Sequence, residues 1–144
     1  MMVRLEHANL AVPDLAEALR FLGAAFPAFR VRASGNTWSG AGWVHCGTDT
    51  TYVALQQATG EPLEAWVPYG GKPGLNHLGF EVDDVEALRT RLAGAGYRET
   101  TVPNRHPHRK RIYFADGAGS DWEFVEYRNA DPALRNDYSI PDVT

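Results

Sequence analysis

The chain is poor in the features that mark secreted, membrane-spanning and nucleic-acid-binding proteins. Cys46 is the single cysteine among 144 residues, which excludes an internal disulfide and with it a disulfide-built scaffold. No apolar run approaches the roughly 20 residues that cross a bilayer, and the N-terminal stretch lacks the apolar segment of a signal peptide. The 14 basic residues are outnumbered by 18 acidic ones, so bulk charge favours neither nucleic acid nor an anionic membrane as a partner. With 44% hydrophobic residues, the composition predicts a folded cytoplasmic protein.

What the chain does contain is an internal repeat. Residues 5–15 read LEHANLAVPDL and residues 75–85 read LNHLGFEVDDV, so both follow L-x-H-x-x-(L/F)-x-V-x-D-(L/V). Each copy alternates like a half-buried strand and then meets an acidic helix start, at Asp14 in the first and Asp83 in the second. An apolar stripe of helical period and three short strand-like runs follow in both copies. Each half is therefore predicted to fold as β-α-β-β-β.

The repeat also sets the predicted domain organisation. Module one spans residues 3–58 and module two spans residues 75–128, joined by a connector rich in Gly and Pro at 59–74. We expect the two modules to act as one functional domain, 1–128. Residues 129–144 form a C-terminal extension without a clear period, which is either packed or loose.

Two histidines and one glutamate stand out as candidate metal ligands. His7 and His77 occupy the same position of the two repeats, and Glu123 lies on the last strand of the second repeat, between Trp122 and Phe124. A carboxylate among large apolar side chains is costly to bury unless it is paired or metal-bound. Two imidazoles and one carboxylate suit non-haem Fe(II), and they also hold Mn, Ni or Zn. A single histidine on an apolar strand is more often a core or surface residue, so the joint pattern carries the prediction.

These features resemble the vicinal oxygen chelate superfamily, which includes glyoxalase I, bleomycin-resistance proteins, fosfomycin-resistance enzymes and extradiol dioxygenases. The resemblance covers about residues 3–128 and rests on the two His-bearing openings and the final YFADGAGSDWEFVE. It implies an α+β fold in which two tandem βαβββ modules form an incomplete, curved eight-stranded β-barrel around a metal site. It also implies that His7, His77 and Glu123 bind the metal, that the modules pair within one chain or between two, and that the protein is a homodimer.

Glyoxalase I places a fourth ligand, Glu or Gln, on the last strand of the first repeat. Sliding the repeats by 69 residues puts Ala54 at the position of Glu123, and alanine cannot ligate a metal. Gln56 lies two residues on, on the same strand face, and is either a fourth ligand or pocket residue or a polar side chain at a strand end. The same alignment places His45 at Phe114, which predicts that His45 faces away from the pocket.

The resemblance therefore implies a metal-dependent enzyme whose small substrate chelates the metal through adjacent oxygens. The missing fourth ligand favours dioxygenase-like chemistry with Fe(II) over the other ions. A glyoxalase-type lyase or isomerase is the first alternative. A non-catalytic drug-binding protein of the bleomycin-resistance type is the second, although such proteins generally lose the ligand triad that this chain keeps.

A basic strip at residues 104–111 holds four of the positive charges. Strand alternation puts Arg109, Arg111 and Tyr113 on one face, where arginine would hold a carboxylate or phosphate in a fork. In fosfomycin-resistance enzymes the Tyr at the place of Tyr113 touches the substrate. Such a run is more often a solvated loop and strand edge. Catalytic acid-base residues are left unassigned by the sequence.

Overall fold

In the computed structural model the chain folds as two successive units, Met1–Ala65 and Trp66–Thr144. The structure describes residues 3–60 and 67–140. Part of the predicted connector and the end of the predicted extension lie outside these described residues. Within the described ranges, no helix has the length and apolar character needed to cross a membrane.

The first unit carries the elements of a β-α-β-β-β module. In chain order these are β1 (His7–Val12), α1 (Leu15–Ala25), β2 (Arg30–Asn36), β3 (Gly42–Gly47) and β4 (Tyr52–Gln57). The four-stranded sheet has the order β1-β4-β3-β2, in which β1 runs parallel to β4 and the other neighbours are antiparallel. The His-bearing first strand therefore lies directly beside the last strand of its own module.

The second unit repeats this arrangement and adds a short terminal helix. Its elements are β5 (His77–Glu81), α2 (Val85–Gly94), β6 (Arg98–Glu99), β7 (Arg109–Ala115), β8 (Asp121–Tyr127) and α3 (Pro132–Arg135). The sheet order is β5-β8-β7-β6, again with the first and last strands parallel. The shared topology confirms the α+β class and the two predicted modules. Among the described strands, neither sheet closes on itself into a barrel.

Both long helices begin at an aspartate that binds free backbone N–H groups. Asp14 accepts from the N–H groups two and three residues on, at 2.8 and 3.2 Å. In the second unit the cap is Asp84, which accepts from the Ala87 N–H at 2.9 Å. The predicted helix start at Asp83 is therefore wrong by one residue. Of two adjacent aspartates, the second has its carboxylate three residues before a free N–H, which is the spacing that an N-cap needs.

The strand after α2 is shorter than its sequence indicates. The composition of residues 97–102 predicts a strand over the whole run, yet β6 covers only Arg98–Glu99. Beyond it the Tyr113 N–H donates to Thr101 Oγ1 at 2.9 Å, so a side chain takes the place of a main-chain carbonyl. Pro103 follows, and because proline has no N–H it cannot continue the ladder.

Each sheet buries the face that packs against its helix. Helix α1 contacts β3 and β4, and α2 contacts β6, β7 and β8. The largest side chains that are less than 2% exposed are all aromatic or aliphatic: Phe21, Leu22, Val53, Leu55, Val85, Leu88, Leu92, Ile112, Phe114 and Phe124. Since strand side chains alternate between faces, the opposite face of each sheet carries the candidate polar residues.

The C-terminal extension packs on the second unit through contacts that reach Tyr138. Arg135 pairs with Glu81 at 2.7 Å, and its guanidinium lies over the Tyr127 ring, 3.9 Å from the centroid. Arg109 donates to the Arg135 carbonyl at 3.3 Å. Of the two alternatives for the extension, its described part adopts the packed one.

Candidate metal centre

Two adjacent strands of the second sheet bring a histidine and a glutamate side by side. Strand β5 pairs with β8 in parallel, with His77 opposite Asp121 and Gly79 opposite Glu123. Paired residues project from the same face of a sheet. His77 and Glu123 therefore share the face that α2 leaves uncovered.

The geometry of His77 and Glu123 fits two ligands of one divalent ion. Nε2 of His77 lies 3.0 Å from Oε2 of Glu123, whose side chain is 12% exposed. Two atoms bound to one ion at about 2.1 Å and at right angles lie about 3.0 Å apart. A Cβ on Gly79 would meet Glu123 Oε2 at 3.4 Å, so the missing side chain leaves the carboxylate room. Imidazole nitrogen with carboxylate oxygen is a donor set that Fe, Mn, Ni and Zn accept.

The second ring nitrogen of His77 contacts a tyrosine from the turn before β5. The Tyr69 hydroxyl lies 2.7 Å from His77 Nδ1 and 3.3 Å from Asp121 Oδ2. Asp121 in turn accepts from Thr100 Oγ1 at 2.6 Å. Partial burial and the charge of Asp121 raise the pKa of Tyr69 to about 12, so the phenol keeps its proton at neutral pH.

An arginine and a second phenol flank Glu123 on its other oxygen. Arg111 Nη1 lies 3.6 Å from Glu123 Oε1 and 3.5 Å from the Tyr113 hydroxyl. Asn104 holds the Arg111 backbone, donating to its carbonyl at 2.9 Å and accepting its N–H at 3.3 Å. Burial and a hydrogen bond to Glu123 raise the pKa of Tyr113 far above its usual value, so this phenol is a neutral donor.

Arg109, the third predicted substrate-binding residue, has a different environment. The register of β7 on β8 places it on the same face as Arg111 and Tyr113, in agreement with the alternation. It is only 6% exposed, however, and its guanidinium lies 5.0 Å from the Tyr138 ring centroid. Four residues of extended chain, about 13 Å, separate it from Tyr113. Arg109 thus anchors the C-terminal extension, and its part in substrate binding stays a prediction.

The first unit carries its candidate ligand on the matching strand. Strand β1 pairs with β4 in parallel, with His7 opposite Tyr52 and Asn9 opposite Ala54. The His7 and Tyr52 rings stack with centroids 4.7 Å apart, and Nδ1 of His7 lies 2.5 Å from Glu6 Oε2. A carboxylate only accepts hydrogen bonds, so in the neutral ring Nδ1 carries the proton and Nε2 offers its lone pair.

The strand registers place Ala54 where the second unit has Glu123. Asn9 faces Ala54 two residues after His7, just as Gly79 faces Glu123 two residues after its own histidine. The registers thus give the correspondence that sliding the repeats by 69 residues predicts. Gln56 lies two residues beyond Ala54 on the same face and is half-buried. Its assignment as a fourth ligand stays a prediction.

The repeat alignment misplaced His45. Strand β3 pairs His45 with Ala54, and β7 pairs Tyr113 with Glu123. Because Ala54 and Glu123 are equivalent, His45 corresponds to Tyr113 rather than to Phe114. The prediction that His45 faces away is therefore wrong. The β3–β4 turn is one residue shorter than the β7–β8 turn, and a shift of one residue moves a strand side chain to the other face.

Of the predicted site residues, the structure brings together four from the second unit, Arg109 not among them. His77 and Glu123 are in contact, with Arg111 and Tyr113 beside them, whereas His7 belongs to the first unit. Across residues 3–60 and 67–140, no three His, Cys, Asp or Glu side chains form a group that would hold an ion.

Sequence reasoning missed Tyr69, Asp121 and Thr100. Asp121 carries a usable signal, because it stands two residues before Glu123 on one strand face and therefore beside the histidine of the neighbouring strand. Tyr69 lies in the connector and Thr100 lies at the end of a predicted strand, and their contacts depend on how a turn and a strand end are placed.

Comparison with known proteins agrees with this fold. The family model described as Glyoxalase/Bleomycin resistance protein/Dioxygenase superfamily matches residues 4–124. No curated protein sequence matches the chain.

Several solved structures are similar throughout their length. A glyoxylase/bleomycin resistance protein/dioxygenase domain from Frankia sp. EAN1pec has a TM-score of 0.73 at 21% identity, covering 91% of this chain and 96% of that one. The fosfomycin resistance protein FosX from Mesorhizobium loti has a TM-score of 0.65 at 23% identity, covering 94% and 98%. A variant of FosX from Listeria monocytogenes, complexed with Mn(II) and 1S,2S-dihydroxypropylphosphonic acid, has a TM-score of 0.67 at 18% identity, covering 95% and 100%.

Proposed function

Because the chain belongs to the glyoxalase/bleomycin resistance protein/dioxygenase superfamily, we propose that it is a metal-dependent enzyme acting on a small anionic substrate. That substrate binds the metal through adjacent oxygen atoms. The observation that carries the proposal is the His77–Glu123 pair, 3.0 Å apart, with Arg111 beside it. His77, Glu123 and His7 are the proposed ligands, and His7 is included because it holds the equivalent strand position.

The charges around Glu123 favour an anion as substrate. A divalent ion on Glu123 and two neutral imidazoles keeps a positive charge, and Arg111 adds another within 3.6 Å of the same carboxylate. Asp121, which binds the Tyr69 hydroxyl, offsets only part of this charge. Such a centre attracts phosphonate or carboxylate groups. The phosphonic acid bound to FosX from Listeria supports the same substrate class.

Each residue has a distinct proposed task. Arg111 binds an oxyanion of the substrate with its planar guanidinium, in an orientation that Asn104 sets through the Arg111 backbone. Tyr113 stays protonated and donates a hydrogen bond to a substrate oxygen or to Glu123. Glu123 and His77 hold the ion, which when bound acts as a Lewis acid on the chelating oxygens.

A dioxygenase is the second candidate, favoured by the donor set itself. Two histidines and one carboxylate form the ligand type of non-haem Fe(II) oxygenases. For that reaction the metal is Fe(II), whereas a redox-neutral reaction on an oxyanion uses Mn(II), with Ni and Zn as further candidates. Oxygen uptake measured with a catechol distinguishes the two classes, because only a dioxygenase consumes O2.

The remaining alternatives differ in the number of metal ligands that they require. A glyoxalase-type lyase or isomerase requires a fourth protein ligand, and Gln56 is the nearest candidate because Ala54 occupies the expected position. A drug-binding protein of the bleomycin-resistance type requires no metal. A homodimer and a cytoplasmic location stay predictions.

Metal uptake is the decisive measurement. Untagged protein is freed of metal, titrated with Mn(II) and anaerobically with Fe(II), and its bound metal is counted by elemental analysis. We expect about one equivalent in the wild type and loss of at least 100-fold in affinity for His77→Ala and Glu123→Ala, because each removes a ligand. His108→Ala and Glu81→Gln are matched controls in the same unit and keep full affinity.

Two outcomes contradict the proposal. Less than a tenth of an equivalent in reconstituted wild-type protein refutes a metal enzyme and favours the binding protein. Equal affinity in His77→Ala and wild type refutes the ligand assignment. If metal binds, an epoxyphosphonate, a catechol and a hemithioacetal serve as test substrates for the three reaction classes.

A further inference from the structure

Two buried basic residues of the second unit hold the C-terminal extension. His106 is 3% exposed and donates through Nε2 to the Asp137 carbonyl at 2.9 Å. Arg109 is 6% exposed, and its guanidinium contacts the Arg135 carbonyl and the Tyr138 ring. A cation is costly to bury unless it is paired, so these contacts fix the extension in place. The described part of the extension is therefore an integral part of the second unit.

The extension lies on the sheet face that also carries the candidate ligands. The Arg135 guanidinium is 3.9 Å from the Tyr127 ring centroid and 2.7 Å from Glu81 Oε2. Tyr127 follows Glu123 by four residues on β8, and Glu81 follows His77 by four residues on β5. Because strand side chains alternate between faces, both contacts of Arg135 lie on the face of the ligand pair. The extension thus covers the end of that face which is far from His77.

A short stretch of sheet separates the ligand pair from Arg135. Val125 lies two residues after Glu123 on the same face of β8, and two residues of extended chain span about 7 Å. Val125 pairs with Glu81 on one side and with Arg111 on the other. Since Arg135 binds Glu81, its guanidinium lies at the end of this stretch. The half-buried Val125 therefore forms the floor of a gap between the Arg111 and Arg135 side chains.

We propose that Arg135 forms the end wall of the substrate pocket and restricts the substrate to anions with short substituents. An oxyanion bound by Arg111 lies beside Val125, so a substituent that points away from the metal meets the Arg135 guanidinium. Such a wall selects against longer analogues by steric overlap, and an apolar chain laid over it would desolvate its charge. The position of the anion rests on the proposed function, whereas the position of the wall does not.

The contacts of Arg135 allow its side chain to be removed without loss of the fold. Its ion pair with Glu81 is partly exposed on both sides, and such pairs add little to stability because water screens them. The Arg135 carbonyl stays available to Arg109, since truncating a side chain keeps the backbone. Arg135→Ala therefore enlarges the gap above Val125 while the extension remains anchored.

Phosphonates of different chain length test the wall. Isothermal titration measures the Kd of methylphosphonate and of hexylphosphonate for Mn(II)-loaded wild type and Arg135→Ala. We expect the hexyl-to-methyl ratio of the Kd values to fall about 10-fold in Arg135→Ala, because the longer chain enters the space that the guanidinium fills. Arg128→Ala, which removes an arginine directly after β8, is the matched control and keeps the wild-type ratio. An unchanged ratio in Arg135→Ala overturns the inference.

A thiol on the floor of the gap tests the wall without metal or substrate. Metal-free Val125→Cys is treated with methyl and with benzyl methanethiosulfonate, and mass spectrometry follows both reactions. We expect the benzyl-to-methyl rate ratio to rise about 10-fold when Arg135→Ala is added. Ala118→Cys, in the exposed β7–β8 turn, gives one ratio in both backgrounds, and the parent protein with its buried Cys46 gives the background rate. Equal ratios for Val125→Cys in both backgrounds overturn the inference.

A second variant reaches the wall from its partner. Glu81→Ala removes the carboxylate that holds the Arg135 guanidinium, so it is expected to shift the phosphonate ratio and the thiol ratio in the same directions as Arg135→Ala. Circular dichroism of both variants verifies that the fold is intact.

The two experiments separate this inference from the proposed function. Wild-type protein that binds neither Mn(II) nor a phosphonate, but whose thiol ratio rises in Arg135→Ala, refutes the enzyme acting on an anion and supports the end wall. Phosphonate binding with both ratios unchanged in Arg135→Ala supports the proposed function and overturns the role of Arg135.

Discussion

The two modules have one topology but different chemistry on their uncovered sheet faces. In the second module His77 faces Glu123 across the strand pair, and Gly79 leaves room for the Glu123 carboxylate. In the first module the equivalent of Glu123 is Ala54, and His7 instead stacks on an aromatic ring. The same scaffold therefore supplies two candidate ligand atoms in contact from one module and a single candidate histidine from the other.

The helix-facing sides of the same strands are alike. Leu55 and Phe124 are equivalent by register, and both are less than 3% exposed. Val44 and Ile112 are equivalent as well, and both are buried. Each sheet thus has one face that is apolar at equivalent positions in both modules, and an opposite face whose residues differ between the modules. The comparison separates the residues that stabilise the fold from the candidate site residues.

Truncating the equivalent core positions is expected to give the largest effect on the unfolding free energy. Phe124→Ala should lower it by about 3–5 kcal/mol and Leu55→Ala by about 2–5 kcal/mol, because both leave cavities in cores that cannot fully collapse. Urea denaturation followed by circular dichroism measures both values. Val125→Ala, on the other face of β8, is the control and should cost far less. A loss below about 1 kcal/mol in either core variant would contradict the shared role of this face.

Most of the fold was predictable because it depends on local patterns. Alternating apolar residues, period-3.6 stripes and aspartate caps recur in both copies, and each of these acts within a few residues. The prediction misses two element boundaries: the helix cap, which is Asp84 rather than Asp83, and the strand, which covers only Arg98–Glu99. At the helix start, two neighbouring aspartates are both candidate caps. At the strand end, the Thr101 side chain accepts the hydrogen bond that a main-chain carbonyl would accept in a longer strand.

The candidate site was less predictable because it depends on register and on turns. Glu123 and Ala54 were aligned correctly, since the offset of 69 residues holds for the last strands. The offset fails for His45, because one residue of difference in a turn reverses the face of a strand residue. Tyr69 has no repeat partner, and its contact with His77 depends on a left-handed residue in a turn. No sequence period encodes that contact.

Filling the space at Gly79 tests why the second module can hold a ligand pair. Gly79→Val adds methyl groups beyond a Cβ that already contacts Glu123 Oε2 at 3.4 Å, so the valine crowds the carboxylate. We expect Mn(II) affinity to fall about 10-fold while the fold stays intact, because valine suits an exposed strand position. Isothermal titration with Mn(II) and thermal unfolding measure the two quantities.

Asn9→Val is the matched control, because Asn9 holds the equivalent position opposite Ala54. It should leave Mn(II) affinity within a factor of about two, since no carboxylate faces it. Equal losses in Gly79→Val and Asn9→Val would show that a larger side chain at this strand position lowers affinity in either sheet, without acting on Glu123. Gly79 would then not explain why the two modules differ on their uncovered sheet faces.

The smallest expected difference lies in the helix caps. Asp14→Ala and Asp84→Ala should each lower the unfolding free energy by about 1 kcal/mol, because each removes a side-chain acceptor from free N–H groups. Asp14 binds two N–H groups and Asp84 binds one, so Asp14→Ala should cost more. Asp83→Ala, next to the second cap, should have an effect within about 0.5 kcal/mol. Urea denaturation of the three variants resolves this order, and a larger loss for Asp83→Ala than for Asp84→Ala would return the cap to the residue that the sequence pattern favoured.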